Sequence, residues 1–417
     1  MKISVVIPTR ERALYLRSAI HSAVVAADNA GCPVEIVVSD NDSSDDTAKV
    51  IAGFSDPRII SVRSVRRLSM RAHFEFALSH TTGSYITFIG DDDAILPNGL
   101  RLLYHLISTH DPDIVKWRVL NYFWPDHTNK TEGRLKLRPH KLNGQLHQLN
   151  PKIILENFSQ ARHGSYQDGG MIYHGCTSRR LIERVQSRLT GPYFRGSSPD
   201  VFTSLQALFV TDRPVLKIDL PVTLGGASPK SNGASGQKNA ASGAAAEGTE
   251  FGKFVAETEG DPWQFSLPVR CPSIDMITLD CLQNAARLYD KKLNINKTAW
   301  SDRIAKEIDG FVVSIRHDCA DMARILIGPT FKTAKEHSAP PIKSFEPTIR
   351  SDEINNAVLK RSALKLVYTG GVGMNDAAAA ADLLDRLLYL SGADGKAISI
   401  IKVFKNIYQI HVRAKLA

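Results

Sequence analysis

The chain has 417 residues, of which 43% are hydrophobic and 23% are charged, and its formal net charge is +9. This length is sufficient for two or three domains, and the composition is that of an ordinary globular protein. The five cysteines form no Cys-x-x-Cys pair, which argues against a disulfide scaffold or a zinc ribbon. No apolar run approaches the length of a membrane span, and a core strand already starts at the N-terminus, so we expect no signal peptide.

The positive charge suits an anionic partner, which could be a donor substrate, a glycan or a membrane surface. Nucleic acid is a weaker candidate, because no motif with interleaved aromatic residues accompanies the charge. We therefore expect no nucleic-acid partner.

Strands and helices alternate through the N-terminal part of the chain. A β-branched strand runs to Pro8, and apolar residues then recur at helical spacing from Leu14 to Val24. The next elements are a strand at 34–39 ending in the polar run 40–46, a strand at 58–62, a helix at 69–80 and a strand from Tyr85. This alternation predicts an α/β fold with a mostly parallel sheet covered by helices on both faces.

The strand from Tyr85 leads directly into three consecutive carboxylates, Asp91, Asp92 and Asp93. An acidic cluster after an apolar strand needs a cation, and hard oxygen ligands select a divalent metal such as Mg²⁺ or Mn²⁺. A metal there can hold a diphosphate and stabilise its departure. The alternative is a solvated turn ahead of a helix that begins at Pro97.

Polar residues also follow the two preceding strands, at Pro8-Thr9 and at Asp40. Ligands of parallel sheets bind beyond the carboxyl ends of the strands. Because three separate strands end in such residues, we expect them to line one binding site together with the acidic triplet.

Three segments carry a resemblance to a known family: SVVIPTRERALYLRSAI, VEIVVSDNDSSDDT and ALSHTTGSYITFIGDDDAILPNGL. They resemble the GT-A-fold glycosyltransferases of the large inverting family 2, in the same order and spacing, over roughly residues 1–225. The resemblance implies a GT-A, Rossmann-like sheet and transfer of a sugar from a nucleotide-diphosphate donor, with UDP favoured, helped by Mn²⁺ or Mg²⁺. It also implies a glycan or lipid-linked glycan acceptor, in the synthesis of surface polysaccharide.

The resemblance assigns roles to the residues at the strand ends. Pro8, Thr9, Arg10 and Asp40 would hold the nucleotide, Asp91 the ribose and Asp92 the metal, with Asp93 as a second or water-mediated ligand. The family usually has Asp-x-Asp-Asp here, whereas this chain has Gly90 at the first position. The division of roles among the three carboxylates therefore stays open.

Inverting transfer also needs a general base that deprotonates the acceptor hydroxyl. The family places an acidic residue at the start of a later helix, and Asp200, directly after Pro199, matches this position. The alternative is that Asp200 only complements the helix dipole. The two roles are compatible.

Several basic residues are candidates for the donor phosphates, since guanidinium groups match phosphate geometry. Of Arg66, Arg67 and Arg71 we favour Arg71, against the alternative of a solvated basic face. His174 could contact the acceptor or the leaving diphosphate, although a single histidine is more often structural.

A change of composition near residue 225 ends the catalytic domain predicted at 1–225. Residues 226–250 are rich in Gly, Ala and Ser and predict a flexible loop. Within it, residues 228–233 could form a lid over the donor diphosphate, with Lys230 as its phosphate contact, or a plain linker.

Residues 251–417 predict a mainly helical C-terminal region, with helices near 276–288, 304–315 and 377–390. The segment 396–417 reads as a basic amphipathic helix, which can lie on an anionic membrane. The alternative is a helix packed on this protein or on a partner subunit of a homo-oligomer. These features predict a cytoplasmic enzyme, with peripheral contact to the inner face of the membrane through the tail.

Other functional classes fit less well. A Rossmann dehydrogenase would have Gly-x-Gly-x-x-Gly after the first strand, where this chain has Pro8-Thr9-Arg10-Glu11. A nucleotidyltransferase would have a Gly-rich loop there. The rival from a different class is a non-catalytic sugar-nucleotide or glycan-binding protein on the same fold.

Overall fold

A computed structural model of the chain describes residues 1–128, 133–137, 142, 144–196, 198–231, 249–263, 267, 271–329, 331–333, 366–369 and 376–389. Most of the loop predicted at 226–250 and the whole tail predicted at 396–417 lie outside the described residues.

The described strands are β1 Ile3–Thr9, β2 Val34–Asp40, β3 Ile59–Arg63, β4 Tyr85–Phe88, β5 Ala94–Ile95, β6 Ile114–Trp117, β7 Leu120–Phe123, β8 Arg134–Leu137, β9 Leu146–Leu149, β10 Gly175–Ser178, β11 Val215–Ile218, β12 Thr223–Ala227 and β13 Leu366–Thr369. The described helices are α1 Ala13–Asp28, α2 Thr47–Ala52, α3 Met70–Ser79, α4 Gly99–His110, α5 Pro151–Ser159, α6 Arg179–Arg188, α7 Pro199–Val210, α8 Glu250–Glu257, α9 Ile274–Leu288, α10 Lys297–Ile308, α11 Val313–Ile327 and α12 Ala377–Tyr389.

The main sheet has eight strands in the order β3-β2-β1-β4-β10-β6-β11-β9. Strands β3, β2, β1 and β4 are parallel neighbours. Strand β10 runs antiparallel between β4 and β6, and β11 is parallel to β6. Strands β1, β2 and β4 are buried along their whole length, as expected for parallel strands covered on both faces. The predicted α/β class with a mostly parallel sheet is confirmed.

The strand register places the predicted site residues at one edge. Thr9 pairs with Asp40, and Asp40 pairs with Arg63 on the next strand. Val6 pairs with Phe88, so the chain that leaves β4 towards the acidic triplet runs beside the end of β1. The sheet therefore brings the three predicted strand ends together.

A second sheet, in the order β13-β8-β7-β12-β5, lies beside the acidic triplet. Its strand β12 carries Gly226, where an added Cβ would lie 1.7 Å from the backbone oxygen of Asp92. Only glycine permits this approach, because any side chain would overlap the backbone of the triplet. The start of the low-complexity stretch thus forms part of the site.

The C-terminal region is mainly helical, as predicted. Helices α9, α10 and α11 share a core around the fully buried Trp300, and Leu282 of α9 packs in the same apolar cluster as Phe202 of α7. Helix α12 lies against α1, where Ser18 Oγ accepts a hydrogen bond of 2.8 Å from the Ala378 amide. No helix in the described ranges is both long and apolar enough to cross a bilayer.

Candidate active site

Asp91 is held by the end of strand β1 and the turn that follows it. Thr9 Oγ1 donates to Asp91 Oδ2 at 2.7 Å, and Arg12 Nη1 donates to Asp91 Oδ1 at 2.7 Å. The Asp91 side chain is 1% exposed, so the guanidinium of Arg12 neutralises a buried carboxylate. Nothing in the sequence indicates which strand end Arg12 faces, so its contact with Asp91 could not be predicted.

Asp93 joins the two sheets. Its Oδ1 accepts from the Gly226 amide at 2.7 Å, and its Oδ2 accepts from the Tyr173 hydroxyl at 2.8 Å. His174 Nε2 lies 3.1 Å from the same Oδ2. Because both oxygens are engaged by the protein, Asp93 positions the loop, and its role as a metal ligand stays a prediction.

Asp92 differs from its two neighbours in having an unused oxygen. Its Oδ2 accepts from Ser228 Oγ at 2.6 Å, whereas Oδ1 accepts no hydrogen bond from the described part of the chain. Burial, opposed by Arg12 and reinforced by Asp93 and Asp91, raises the pKa of Asp92 to about 7. A buried carboxylate with a raised pKa and a free oxygen is a favourable place for a cation.

The residues present fit a magnesium or manganese ion that takes some of its ligands from the protein and the others from a bound substrate. Within the described ranges, no three His, Cys, Asp or Glu side chains are grouped as a ready-made metal site. Mg²⁺ is usually held by one or two carboxylates together with substrate phosphates rather than by a cage of protein ligands. Asp92, with the help of Asp91 or Asp93, matches that arrangement.

The nucleotide end of the site lies at strands β1 to β3. Arg63 Nη1 donates to Asp40 Oδ2 at 2.8 Å, and the Ser43 amide donates to Asp40 Oδ1 at 3.0 Å. The Asp40 carboxylate is thereby fixed at the strand end predicted to hold the nucleotide. Arg63 was missed in the sequence, although it ends the strand next to Asp40 and this adjacency could have indicated it.

Two arginines predicted to bind the donor are paired with acids from a later part of the chain. Arg10 Nε lies 2.7 Å from Glu257 Oε1, and Arg71 Nε lies 2.8 Å from Asp261 Oδ2. Their donor-binding roles stay predictions. The structure does show that acids within residues 250–261 reach this edge, which the sequence did not indicate.

Lys230 contacts the turn that follows strand β1, and its role as a phosphate contact in a lid stays a prediction. Its Nζ donates to the Glu11 carbonyl at 3.0 Å, and its own carbonyl accepts from Arg12. The chain around Ser228 and Lys230 therefore packs against both β1 and the triplet. Residues 232 and 233 of the predicted lid lie outside the described residues.

Asp200 lies in the first turn of helix α7, as predicted. The helix N-cap, Ser198, makes no side-chain capping bond, while the Val201 amide donates to the Asp200 carboxylate. Burial raises the pKa of Asp200, and the nearby His174 opposes this shift. No ion pair with a lysine or arginine lowers its basicity among the residues that the structure describes.

His174 lies between the two acidic parts of the site. It contacts Asp93 through Nε2 and is close enough to Asp200 to influence its titration. Its backbone has φ of +52°, a left-handed conformation that non-glycine residues adopt at a cost and that is frequent at functional sites. The sequence left open whether His174 is structural or binds a substrate. In the structure it links the triplet to Asp200, the predicted base.

A buried chain of hydrogen bonds fixes the His174 ring. Trp117 Nε1 donates to Thr223 Oγ1 at 2.8 Å, and Thr223 Oγ1 lies 2.7 Å from His174 Nδ1. Tryptophan can only donate, so the Thr223 hydroxyl accepts from it and can donate its own proton to Nδ1. The ring is thereby held with Nε2 towards Asp93.

We expect Thr223→Val to destabilise the protein by roughly 1–3 kcal/mol, because it leaves Trp117 and His174 with unpaired buried polar atoms. Thr223→Ser keeps the hydroxyl and is the matched control, with a smaller loss expected. Denaturant unfolding of both variants measures the difference. Equal stability of the Val and Ser variants would contradict the hydrogen-bond chain.

The acidic triplet lies beyond the carboxyl ends of parallel strands, which is where open α/β sheets bind their ligands. Residues 4–172 match the family model described as Glycosyl transferase family 2. The match confirms, for that part of the chain, the resemblance found in its motifs.

Curated relatives carry glycosyltransferase names. Glycosyltransferase GlyA of Streptococcus pneumoniae is 29% identical over 134 residues, which cover 32% of this chain and 18% of that protein. The GalNAc(5)-diNAcBac-PP-undecaprenol beta-1,3-glucosyltransferase of Campylobacter jejuni is 32% identical over 105 residues, which cover 24% of this chain and 33% of that protein. The chain spans less than half the length of the curated relatives that it matches.

Among solved structures, residues 1–349 of S. aureus TarS in complex with UDP align with a TM-score of 0.43 and 15% identity. The alignment covers 79% of this chain and 89% of that one.

Proposed function

We propose that the protein is a metal-dependent inverting glycosyltransferase that moves a sugar from a nucleotide-diphosphate donor to a hydroxyl acceptor. The observation that carries this proposal joins two buried carboxylates through Asp93 and His174. Asp92 Oδ1 accepts no hydrogen bond from the described residues, its neighbour Asp93 contacts His174, and His174 lies near Asp200, whose pKa is raised by burial. The family match over residues 4–172 supports it.

The donor would bind across the strand ends. Pro8, Thr9 and Asp40, with Arg63 behind Asp40, would take the nucleotide, and Asp91 would take the ribose. A Mg²⁺ or Mn²⁺ ion on Asp92 and the phosphates would neutralise the diphosphate and so favour its departure.

Asp200 would act on the acceptor. It takes the proton of the acceptor hydroxyl as that oxygen attacks the anomeric carbon, while the bond from that carbon to the diphosphate oxygen breaks. Attack from the side opposite the leaving group inverts the anomeric configuration. A pKa raised by burial makes the Asp200 carboxylate a stronger base than an exposed aspartate.

The donor is proposed to be UDP-linked, which rests on the resemblance of the motifs alone. The acceptor is proposed to be a glycan or a lipid-linked glycan, and the Campylobacter relative carries an undecaprenol-linked glycan in its name. A role in polysaccharide synthesis and a cytoplasmic location belong to the same proposal.

A thermal-shift screen across nucleotide sugars, with Mn²⁺ or with EDTA, tests the proposal. We expect one nucleotide to raise the melting temperature with Mn²⁺ and to lose most of this effect in EDTA. An equal shift in EDTA would refute the metal requirement. The absence of a shift with every nucleotide sugar would refute the proposed donor.

We expect the free energy of unfolding to depend on pH through Asp200. Its pKa is raised in the folded protein, so as pH rises the unfolded chain loses this proton first and stability falls. Asp200→Asn removes this loss of stability. At about pH 7.5 the variant should therefore melt at the same temperature as the wild type or at a higher one. The difference should shrink towards about pH 3.5, where the carboxyl is protonated in both states. Earlier melting of the variant at the higher pH would show that Asp200 mainly stabilises its helix.

A further inference from the structure

An acidic segment lies over the basic residues at the donor edge of the sheet. It comprises residues 249–261, which include helix α8 and the turn that ends in Asp261. We call it the acidic strap. In sequence it is far from strands β1 to β3, yet in the structure it contacts the residues that follow them.

The acids of the strap pair with the arginines around the site. Glu257 Oε1 lies 2.7 Å from Arg10 Nε and 3.9 Å from Arg67 Nε. Asp261 accepts from Arg71 Nε at 2.8 Å. Arg10 and Arg71 are thus paired closely with strap carboxylates, whereas Arg67 Nη2 lies 2.6 Å from Glu11 Oε1, outside the strap.

Phe254 extends the strap towards the acidic triplet. The Arg10 guanidinium lies 4.5 Å from the centre of the Phe254 ring, and that of Arg12 lies 5.8 Å from it. Both distances are within the range of cation–π attraction. Because Arg12 also binds Asp91, the strap and the triplet contact the same side chain.

The contact between strap and site leaves polar atoms unsatisfied. Within the described residues, the buried acceptor Glu257 Oε2 and the buried donors Arg10 Nη1 and Arg67 Nη1 have no hydrogen-bond partner, although Arg10 Nη1 lies 3.5 Å from Glu250 Oε2. Burial also raises the pKa of Glu257 in spite of Arg10, which shows that the pairing does not fully offset the loss of hydration. Phosphate oxygens, which pair with guanidinium groups in bidentate geometry, could satisfy these donors better.

We propose that the acidic strap is an autoinhibitory contact: it occupies Arg10 and Arg71, and a donor diphosphate must displace it to reach them. This inference rests on the proposed function. A site that is open for only about a tenth of the time shows an apparent affinity reduced about tenfold. Loss of the strap carboxylates should therefore strengthen diphosphate binding.

The test compares the full-length protein with a Glu257→Gln, Asp261→Asn double variant by calorimetric titration of Mn²⁺-pyrophosphate and of UDP and GDP with Mn²⁺. Pyrophosphate probes the phosphate subsite without depending on the base. We expect the double variant to bind it about tenfold more tightly. The matched control is Glu259→Gln, since Glu259 is an exposed acid of the same strap, and it should stay within about twofold of the wild type. Phe254→Leu provides a second variant with the same expected direction.

The outcomes separate this inference from the proposed function. The autoinhibitory role of the strap is refuted if the double variant and Phe254→Leu bind pyrophosphate no more tightly than the control does. Binding of UDP or GDP would then leave the proposed function standing. Failure of every nucleotide in all variants, with pyrophosphate still bound more tightly by the double variant, would refute the proposed donor and keep the autoinhibitory contact.

Discussion

Replacing Asp200 by Asn is expected to lower sugar transfer by about 10²–10⁴-fold, the usual contribution of a positioned general base. Asparagine keeps the shape of the side chain and can still accept the hydrogen bond from the Val201 amide, but it cannot take a proton. Nucleotide binding with Mn²⁺ should stay at the wild-type level, so the loss should appear in kcat. Initial rates of nucleoside diphosphate release, with calorimetric titration of the nucleotide, measure both quantities.

Glu183→Gln is the matched control, because Glu183 is an exposed acid on the neighbouring helix α6. It should leave transfer within about twofold of the wild type. Near-normal transfer by the Asp200→Asn variant would refute the base assignment, and Asp168, which is paired with Lys116, would be tested next.

Asp92→Asn is expected to weaken binding of UDP in the presence of Mn²⁺ by about 100-fold or more. Residues that only support metal ligands typically change metal affinity by about 10–100-fold, so a direct ligand should exceed that range. The physical reason is repulsion: without a metal, the diphosphate would face the buried carboxylates of the triplet, whose charge Arg12 offsets only in part. Calorimetric titration with Mn²⁺ and with EDTA measures the effect.

Asp46→Asn serves as the control for Asp92, since Asp46 is exposed and lies outside the triplet. Its affinity for UDP should match that of the wild type. The metal assignment would be refuted if the wild type bound UDP equally well in Mn²⁺ and in EDTA, or if the Asp92→Asn variant bound UDP normally.

The sequence was sufficient to predict which strand ends meet. Pro8, Asp40 and the triplet each follow an apolar strand, and parallel strands place such residues at one edge of the sheet. Asp200 could be placed at a helix start for the same kind of reason, because Pro199 and the apolar spacing mark that helix locally.

The partners of these residues could not be predicted from one sequence. Arg10 meets Glu257 across 247 positions of chain, and Arg71 meets Asp261 across 190, so no local pattern connects them. The different surroundings of Asp91, Asp92 and Asp93 could not be predicted either. They depend on Arg12, Ser228 and Gly226, which approach the triplet only when the second sheet packs against the first.

The most direct test of the proposed chemistry is an NMR time course of the wild-type protein with individual nucleotide sugars and Mn²⁺. We predict that water acts as the acceptor, that one α-linked donor is consumed and releases its nucleoside diphosphate, and that the free sugar first appears with the β configuration. EDTA should stop the reaction. A donor that binds but stays intact throughout would contradict catalysis and favour a non-catalytic sugar-nucleotide-binding protein, and a product that keeps the α configuration would contradict inversion.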